Sequence, residues 1–366
     1  MVSASIPKDR LLRTAETLLF GAGGAAVFSL LGFPAGLVSG SLLTVATAAL
    51  LGRPMLVPLP LTRVISVLVG ISLGAVVTPE TLHGVVTFPL SIAVLSVATI
   101  CMIVATTSYL RLLHSWDMRS AVLGASPGSL AQVMTLAAEF GADLRAIAIV
   151  QVMRVVLLTI GIPTGLAAFG LSATISFTQR AGLAQASLAE LLILIAVSAS
   201  TALISVMFRL PGGVLLGAMV GSGFLHGTGL IRSALPAWLV MAAVIGVGSF
   251  TGSRFANTAP RALLRYIGPA LGSFAVALSV ASAFVLLLTS LLPIRIADAV
   301  VAYSPGAQDT MMVLALSLHL DPIFVGAHHL WRFMLVSLSL PFQVRRAGNI
   351  PSRARDLPRQ RLPFED

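Results

Sequence analysis

The sequence predicts an all-α polytopic membrane protein built as two inverted repeats, each of about five transmembrane helices plus one re-entrant half-helix. Three observations predict it. The 366 residues are 57% hydrophobic and 10% charged, with a mean hydropathy of +0.98, whereas soluble domains carry about a quarter charged residues. The run Ser-Pro-Gly at 126–128 returns at 304–306 together with its surroundings, at a constant offset of 178. The loop arginines favour one face of the bilayer when the two halves run in opposite directions.

Taken in order, residues 1–12 form a cytoplasmic N-terminus, and 13–166 form the first membrane repeat, with apolar segments at about 13–31, 34–51, 62–78, 86–110 and 144–166. Lys8, Arg10 and Arg13 precede the first apolar run as in a signal peptide. Many spans follow and no small-residue cleavage site stands out, so this run is read as the first transmembrane helix. Residues 167–187, with Gln179, Arg180 and Gln185, join the halves. The second repeat, 188–342, has apolar segments at about 188–207, 211–230, 236–253, 266–292 and 321–342. The tail, 343–366, is Arg/Pro-rich and lacks apolar periodicity, the composition of a disordered segment.

The duplication is carried by particular residues. Met134, Leu136, Ala137, Asp143, Arg154, Leu157 and Pro163 return 178 positions later as Met312, Leu314, Ala315, Asp321, Arg332, Leu335 and Pro341. Gly70 and Gly74 return as Gly248 and Gly252, and Pro34, Gly36 and Gly40 return at an offset of 177 as Pro211, Gly213 and Gly217. A period this long marks one unit used twice. The paired glycines are small-xxx-small steps that let helix backbones approach closely in lipid.

Serine is a good N-cap and proline suits the first helical position, so helices are expected to begin at Pro127 and Pro305, with Gly141 stopping the first. Asp143 and Asp321 read as caps of the next helices. A helix from 127 to 140 would be about 21 Å long, short of a hydrocarbon core of roughly 30 Å, hence a re-entrant half-helix. Charge tests this. With non-crossing segments and a cytoplasmic N-terminus, 18 Lys and Arg fall inside and 3 (Arg180, Arg232, Arg295) outside; with crossing segments the division is 16 to 5. Both termini are then cytoplasmic, in a bacterial-type inner membrane.

Arg154 and Arg332 are the leading site candidates. Each lies 11 positions after its aspartate cap, roughly 16 Å along a helix, near the bilayer midplane. A guanidinium there is costly unless it faces protein, water or an anion. Two roles stay open: direct contact with an anion, or bonding of carbonyls at a half-helix end to hold the hairpin. Gln151 and His329 share a face with the two arginines, three residues before each, and His328 is four before Arg332. At the half-helix starts, Ser126, Gly128, Ser304 and Gly306 would place N–H donors and partial positive charge at the site. Gln132, Gln308, Asp309 and Thr310 are the polar candidates on the half-helices. Asp309, whose counterpart is Ala131, either carries a coupling proton or pairs with a nearby cation; Glu139 reads as solvated.

Other chemistry is poorly provided for. Cys101 is the sole cysteine, which excludes a disulfide framework or a thiolate zinc site. His328 and His329 are adjacent rather than at ligand spacing, and neither serine lies in a Gly-x-Ser-x-Gly turn. No catalytic residue, metal or cofactor is therefore assigned, and an enzyme is not expected. The net charge of +10 follows from topology, and the tail arginines suit anionic lipid rather than nucleic acid.

The paired segments S-P-G-S-L-A-Q-V-M…F-G-A-D…Q-V-M-R and S-P-G-A-Q-D-T-M-M…D-P…H-H-L-W-R resemble the AbrB-type membrane protein family, which is defined by this internal membrane duplication. The resemblance covers about 11–342. Members are often labelled ammonia monooxygenase or regulators of gene expression; the chain has no visible copper-ligand cluster for the first and no DNA-binding domain for the second. Ser129 and Ala307 stand where members often have a second glycine. The expectation is a secondary transporter of a small anionic solute in the lipid bilayer, bound between the two repeats, with the coupling ion (H⁺ or Na⁺) and oligomeric state open. The alternative is a membrane-embedded sensor or regulator of gene expression using the same pocket without transport.

Overall fold

The computed structural model describes residues 8–75, 88–128, 130–171, 187–208, 213–231, 233–256, 260–306 and 308–347. Fourteen helices account for nearly all of them. In the first half these are α1 (Lys8–Leu30), α2 (Gly36–Leu50), α3 (Leu59–Gly74), α4 (Phe88–His114), α5 (Met118–Ala125), α6 (Leu130–Glu139) and α7 (Leu144–Ala168). In the second they are α8 (Leu188–Met207), α9 (Gly213–Gly227), α10 (Ala237–Ser253), α11 (Pro260–Leu291), α12 (Ile296–Tyr303), α13 (Gln308–Ser317) and α14 (Pro322–Ala347).

Six helices, α1, α4, α7, α8, α11 and α14, are long and apolar enough to cross a membrane, so this is a multi-pass membrane protein by helix length and hydropathy. Large apolar side chains such as Leu19, Val97, Val104, Leu192, Leu203 and Leu286 stand exposed on α1, α4, α8 and α11. Lipid is the solvent that makes such faces stable. The other four apolar segments expected from sequence are shorter helices, α2, α3, α9 and α10, of 15, 16, 15 and 17 residues. Prolines and left-handed residues truncate them: Pro34 and Ala35 (φ 52°) precede α2, Gly52 follows it, Pro58 precedes α3, and Gly229 follows α9.

Glycine does for these short helices what the spacing predicted. A Cβ on Gly70 would sit 2.4 Å from the Leu215 carbonyl oxygen, and one on Gly74 2.5 Å from that of Met219, so α3 and α9 touch backbone to backbone. Gly248 and Gly252 bring α10 equally close to α2: a Cβ on either would sit 2.6 Å from the Val38 or Leu42 carbonyl oxygen. Ser222 Oγ donates to Ile71 O across the first crossing at 2.8 Å. Each contact joins a helix of one half of the sequence to a helix of the other.

The packing divides the molecule into two bodies, and neither is a sequence half. The first holds α1–α3 and α8–α10; the second holds α4–α7 and α11–α14. Extensive contacts, α1 on α2, α8 on α9, α2 on α10, α3 on α9, and α4 on α11, stay within a body. Between bodies the substantial contacts are those of α13 with α3 and α10, and of α2 with α7, where Ser39 Oγ donates to Thr159 O at 3.1 Å.

The predicted boundaries shift in places. Helix α1 begins at Lys8, inside the segment assigned to the N-terminus, and α14 continues to Ala347, inside the segment assigned to the tail. The remainder of the tail, most of the 167–187 join, and Ser129 and Ala307 lie outside the described residues.

Candidate functional site

Each Ser-Pro-Gly run is the tip of a helical hairpin, and here the structure corrects the expected helix starts. Ser126 and Ser304 do not open helices; they close the short helices α5 and α12. Helix α5 begins because Asp117 accepts from Ser120 N, a start the sequence reading passed over. It ends because Pro127 has no N–H to continue it and forces the preceding residue into extended backbone: Ser126 has ψ 122° and Ser304, before Pro305, has ψ 134°. The serine hydroxyls turn back onto Val122 O and Val300 O. The next helices then start at Leu130 and Gln308.

The open ends of each hairpin are tied. Arg119 Nη1 donates to Phe140 O and Asp143 N donates to Ser120 Oγ, both at 2.9 Å. In the second hairpin Asp321 N donates to Asp298 Oδ1 at 2.8 Å, and Arg295 Nε donates to Asp298 Oδ2 at 2.6 Å. Ser120 and Asp298 stand 178 positions apart and accept from equivalent amides with different chemistry. Gly141 (φ 65°) stops α6 as expected, and His319 (φ 56°) does so for α13. Asp143 and Asp321 cap α7 and α14, accepting from Ala146 N and from Phe324 N.

The tips are held from the following helix. Gln151 Nε2 donates to Leu123 O and Ser126 O, at 3.0 and 2.9 Å. Arg154 donates to Ala125 O and Ser126 O, each at 3.1 Å, and to Gln151 Oε1. In the second copy His329 Nε2 donates to Val301 O at 3.0 Å, which leaves Nδ1 to accept from Arg332 Nη2 at 2.6 Å; the ring is thereby the neutral Nε2–H tautomer. Arg332 Nη1 reaches Ala302 O at 3.5 Å. Both guanidinium groups thus cover the carbonyls at the C-terminal end of a short helix, where partial negative charge gathers. Of the two roles left open by the sequence, the structure displays carbonyl capping.

The tips meet in one cavity of about 470 Å³ at the seam between the two bodies. Of the residues singled out in the sequence, Gly128, Gln151, Arg154, Gly306, Gln308, Asp309, His329 and Arg332 line it. Ser126, Ser304, Gln132 and Thr310 do not. The serines are buried and bonded back into their own helices; Gln132 pairs with Ser337 (Ser337 Oγ donates to Oε1 at 2.7 Å), tying α6 to α14; and Thr310 is buried elsewhere. His328 also turns away, bonding Phe324 O and Ser91 Oγ. Glu139 is exposed, as expected.

Two lining residues were missed. Arg63, on the exposed side of α3, and Arg254, just past α10, were read as loop charges, yet both border the cavity. Arg254 stacks over the Phe250 ring at 4.6 Å and interacts electrostatically with Asp309. Repeat matching could not reveal it, because the position 178 earlier is Val76. Four arginines and one aspartate among the described lining residues leave the cavity net positive, and its chemistry suits an anion with hydrogen-bond acceptors.

The sequence comparisons agree with the motif. The family described as "Transition state regulatory protein AbrB" matches residues 37–348, a stretch that contains both hairpins, all four arginines and the cavity between them. YhjN of Bacillus subtilis (strain 168) is 25% identical over 357 residues, covering 91% of this chain and 92% of its own. "Putative regulator AbrB" of Escherichia coli (strain K12) is 29% identical over 220 residues, 60% of this chain and 63% of its own. With the duplicated Ser-Pro-Gly hairpins and the matched span together, the chain belongs to the AbrB family.

Proposed function

We propose that this AbrB-family membrane protein is a secondary transporter of a small anionic solute, which binds in the cavity where the two hairpin tips meet. The observation that carries this reading is the position of the cavity: it is positively lined and lies on the seam between two bodies that touch each other through few helices. A site at such a seam can face one side of the membrane and then the other as one body moves against its neighbour, the general logic of alternating access.

In this reading the two halves are inverted repeats and the hairpins are re-entrant. Two features support it: the tied open ends of each hairpin return the chain to the face it left, and the bounds of α5, α6 and α12, α13 are related by 178 residues. Because each body draws helices from both halves, the moving boundary differs from the division at the sequence midpoint. The loop charges put both termini in the cytoplasm, and the bacterial relatives suit a cytoplasmic membrane.

The test is flux. Purified protein in liposomes preloaded with unlabelled acetate, lactate, succinate, glutamate or bicarbonate should accumulate the matching radiolabelled anion by counterflow, for at least one of the five. Liposomes indistinguishable from protein-free ones for every anion would overturn transport of this class. The name of the Escherichia coli relative favours the second reading, a membrane sensor or regulator that uses the same pocket without transport, and absence of flux combined with retained anion binding would point there.

A further inference from the structure

Polar groups around the cavity divide into those that are occupied and those that are not. Gln151, Arg154, His329 and Arg332 each bond the hairpin carbonyls, and within each pair they bond one another. By contrast, the buried Gln308 Nε2 has no hydrogen-bond partner, and Arg254 makes none beyond its stack on Phe250 and its electrostatic interaction with Asp309. A buried amide without a partner calls for an explanation, a ligand oxygen being one. Arg254 ends α10 in the first body and Gln308 opens α13 in the second, so an acceptor that bonds both would bridge the seam.

We propose that the cavity binds a small carboxylate together with a proton, the carboxylate on Arg254 and the Gln308 amide, the proton on Asp309. This deepens, and rests on, the reading of the cavity as a transporter site. Asp309 is the sole acidic side chain among the described lining residues and lies beside Gln308, facing Arg254. On the elements packed against α13, the other charged or titratable groups that line the cavity are Arg63 on α3, Arg154 on α7, and His329 and Arg332 on α14. Arg145 on α7 and Arg345 and Arg346 on α14 lie outside that lining. Tyr303 of α12 and His328 of α14 bond Ser91, and Asp298 of α12 is engaged at the far, open end of the hairpin by Arg295 and Asp321.

While Asp309 is ionised it competes for Arg254, and an incoming carboxylate would stand beside a like charge against protein walls that screen it less than bulk water. Protonation removes both obstacles, and reciprocity requires that the carboxylate favour the proton to the same degree. The net charge of the cavity is then the same with the pair bound as with Asp309 ionised and the cavity empty.

Binding of sodium acetate, lactate and pyruvate to the purified full-length protein would be measured by thermal shift from pH 6 to 8, where the ligands stay ionised, with sodium chloride and sodium sulfate as controls. At least one carboxylate should bind, with affinity falling about tenfold per pH unit above the Asp309 midpoint, as expected for one linked proton. Asp309→Asn should flatten the profile at the low-pH affinity. Arg254→Gln should weaken binding at least about 30-fold, with partial recovery in Arg254→Lys. Should a variant fail to fold, a weakly buffered pH indicator reads the wild type alone: about one proton taken up per carboxylate bound. A flat wild-type profile, or a slope that persists in Asp309→Asn, overturns the proton while leaving an anion site. Equal binding of chloride or sulfate, or full affinity in Arg254→Gln, overturns the carboxylate assignment. If none of the salts binds, the carboxylate and its proton both fall, while counterflow of glutamate or bicarbonate would leave the transporter reading standing.

Discussion

Gly74→Ala tests whether the interlocked short helices hold the two halves together. The added methyl would lie 2.5 Å from Met219 O and from Ser222 Cβ, and 2.6 Å from Gly223 N. Backbone and Cβ atoms cannot swing aside, so α3 and α9 must separate by about 1 Å to restore van der Waals distance. Overpacking of this kind costs about 1–3 kcal/mol, and the better helix propensity of alanine returns about 1 kcal/mol. The net loss is about 0–2 kcal/mol against the wild type and about 1–3 kcal/mol against a control that gains the same propensity, or up to several degrees in apparent Tm at the roughly 2–4 °C per kcal/mol of chains of about 150–250 residues. Gly23→Ala and Gly161→Ala are the controls, since nothing lies within 4 Å of either new methyl; they should melt at or slightly above the wild type. Melting would be followed in detergent at one scan rate, because membrane proteins commonly unfold irreversibly. The double variant Gly70→Ala/Gly74→Ala should cost little more than the worse single change, because one separation of the helices relieves both. A Gly74→Ala protein that melts with the Gly23→Ala control would refute the reasoning.

Two further outcomes concern the hairpins. Arg154→Lys should loosen the first tip, because an ammonium cannot fork across Ala125 O and Ser126 O as the guanidinium does; Gln151 still serves Ser126 O, so Ala125 O loses its side-chain donor, at about 1–3 kcal/mol. Faster amide hydrogen exchange over 121–128 than in wild type checks this, and unchanged exchange would mean the arginine does not hold the tip. Asp298→Ala should open the second hairpin at its base, removing the acceptor for Asp321 N and both Arg295 bonds, again about 1–3 kcal/mol. Limited proteolysis between 318 and 322 that is no faster than in wild type would count against it.

Much of the architecture is legible in the sequence because membrane helices are written in long apolar runs and the Ser-Pro-Gly, Asp and Arg positions recur at a fixed offset. Asp143, Asp321 and Gly141 act as their residue types suggest, and seven of the eight paired glycines mark real close approaches, Gly213 being the exception. The helix starts at the tips were misplaced because Ser-Pro serves equally well as an ending: proline's missing N–H is tolerated at a first turn and fatal to a continuing helix. Which of these applies depends on helices that begin after Asp117 and Arg295, nine residues before each serine, and that are only eight residues long, too short to announce themselves. The two bodies were invisible for another reason. Contacts between helices that are far apart in sequence, such as α2 with α10, depend on surfaces, and periodicity within one helix carries no record of its partner.

The repeat directs attention to what the copies share, and at this site that emphasis misleads. The shared residues, Ser126 and Ser304, Pro127 and Pro305, Arg154 and Arg332, with the matched pair Gln151 and His329, build and hold the tips. Part of their donor capacity is engaged in doing so, as a scaffold under two hairpins requires. Arg254, Gln308 and Asp309 also have unspent polar capacity, and the positions 178 residues earlier are Val76, Leu130 and Ala131. All three counterparts are apolar. A duplicated membrane unit starts with two equal half-sites facing one cavity, whereas a solute and its coupled proton need one distinct acid and one distinct cation. In the transporter reading proposed above, the differences at these three positions would supply that asymmetry while the hairpins stay the same. On that reading, function in this chain is better sought where the two halves disagree on polarity within the cavity than where the motif repeats.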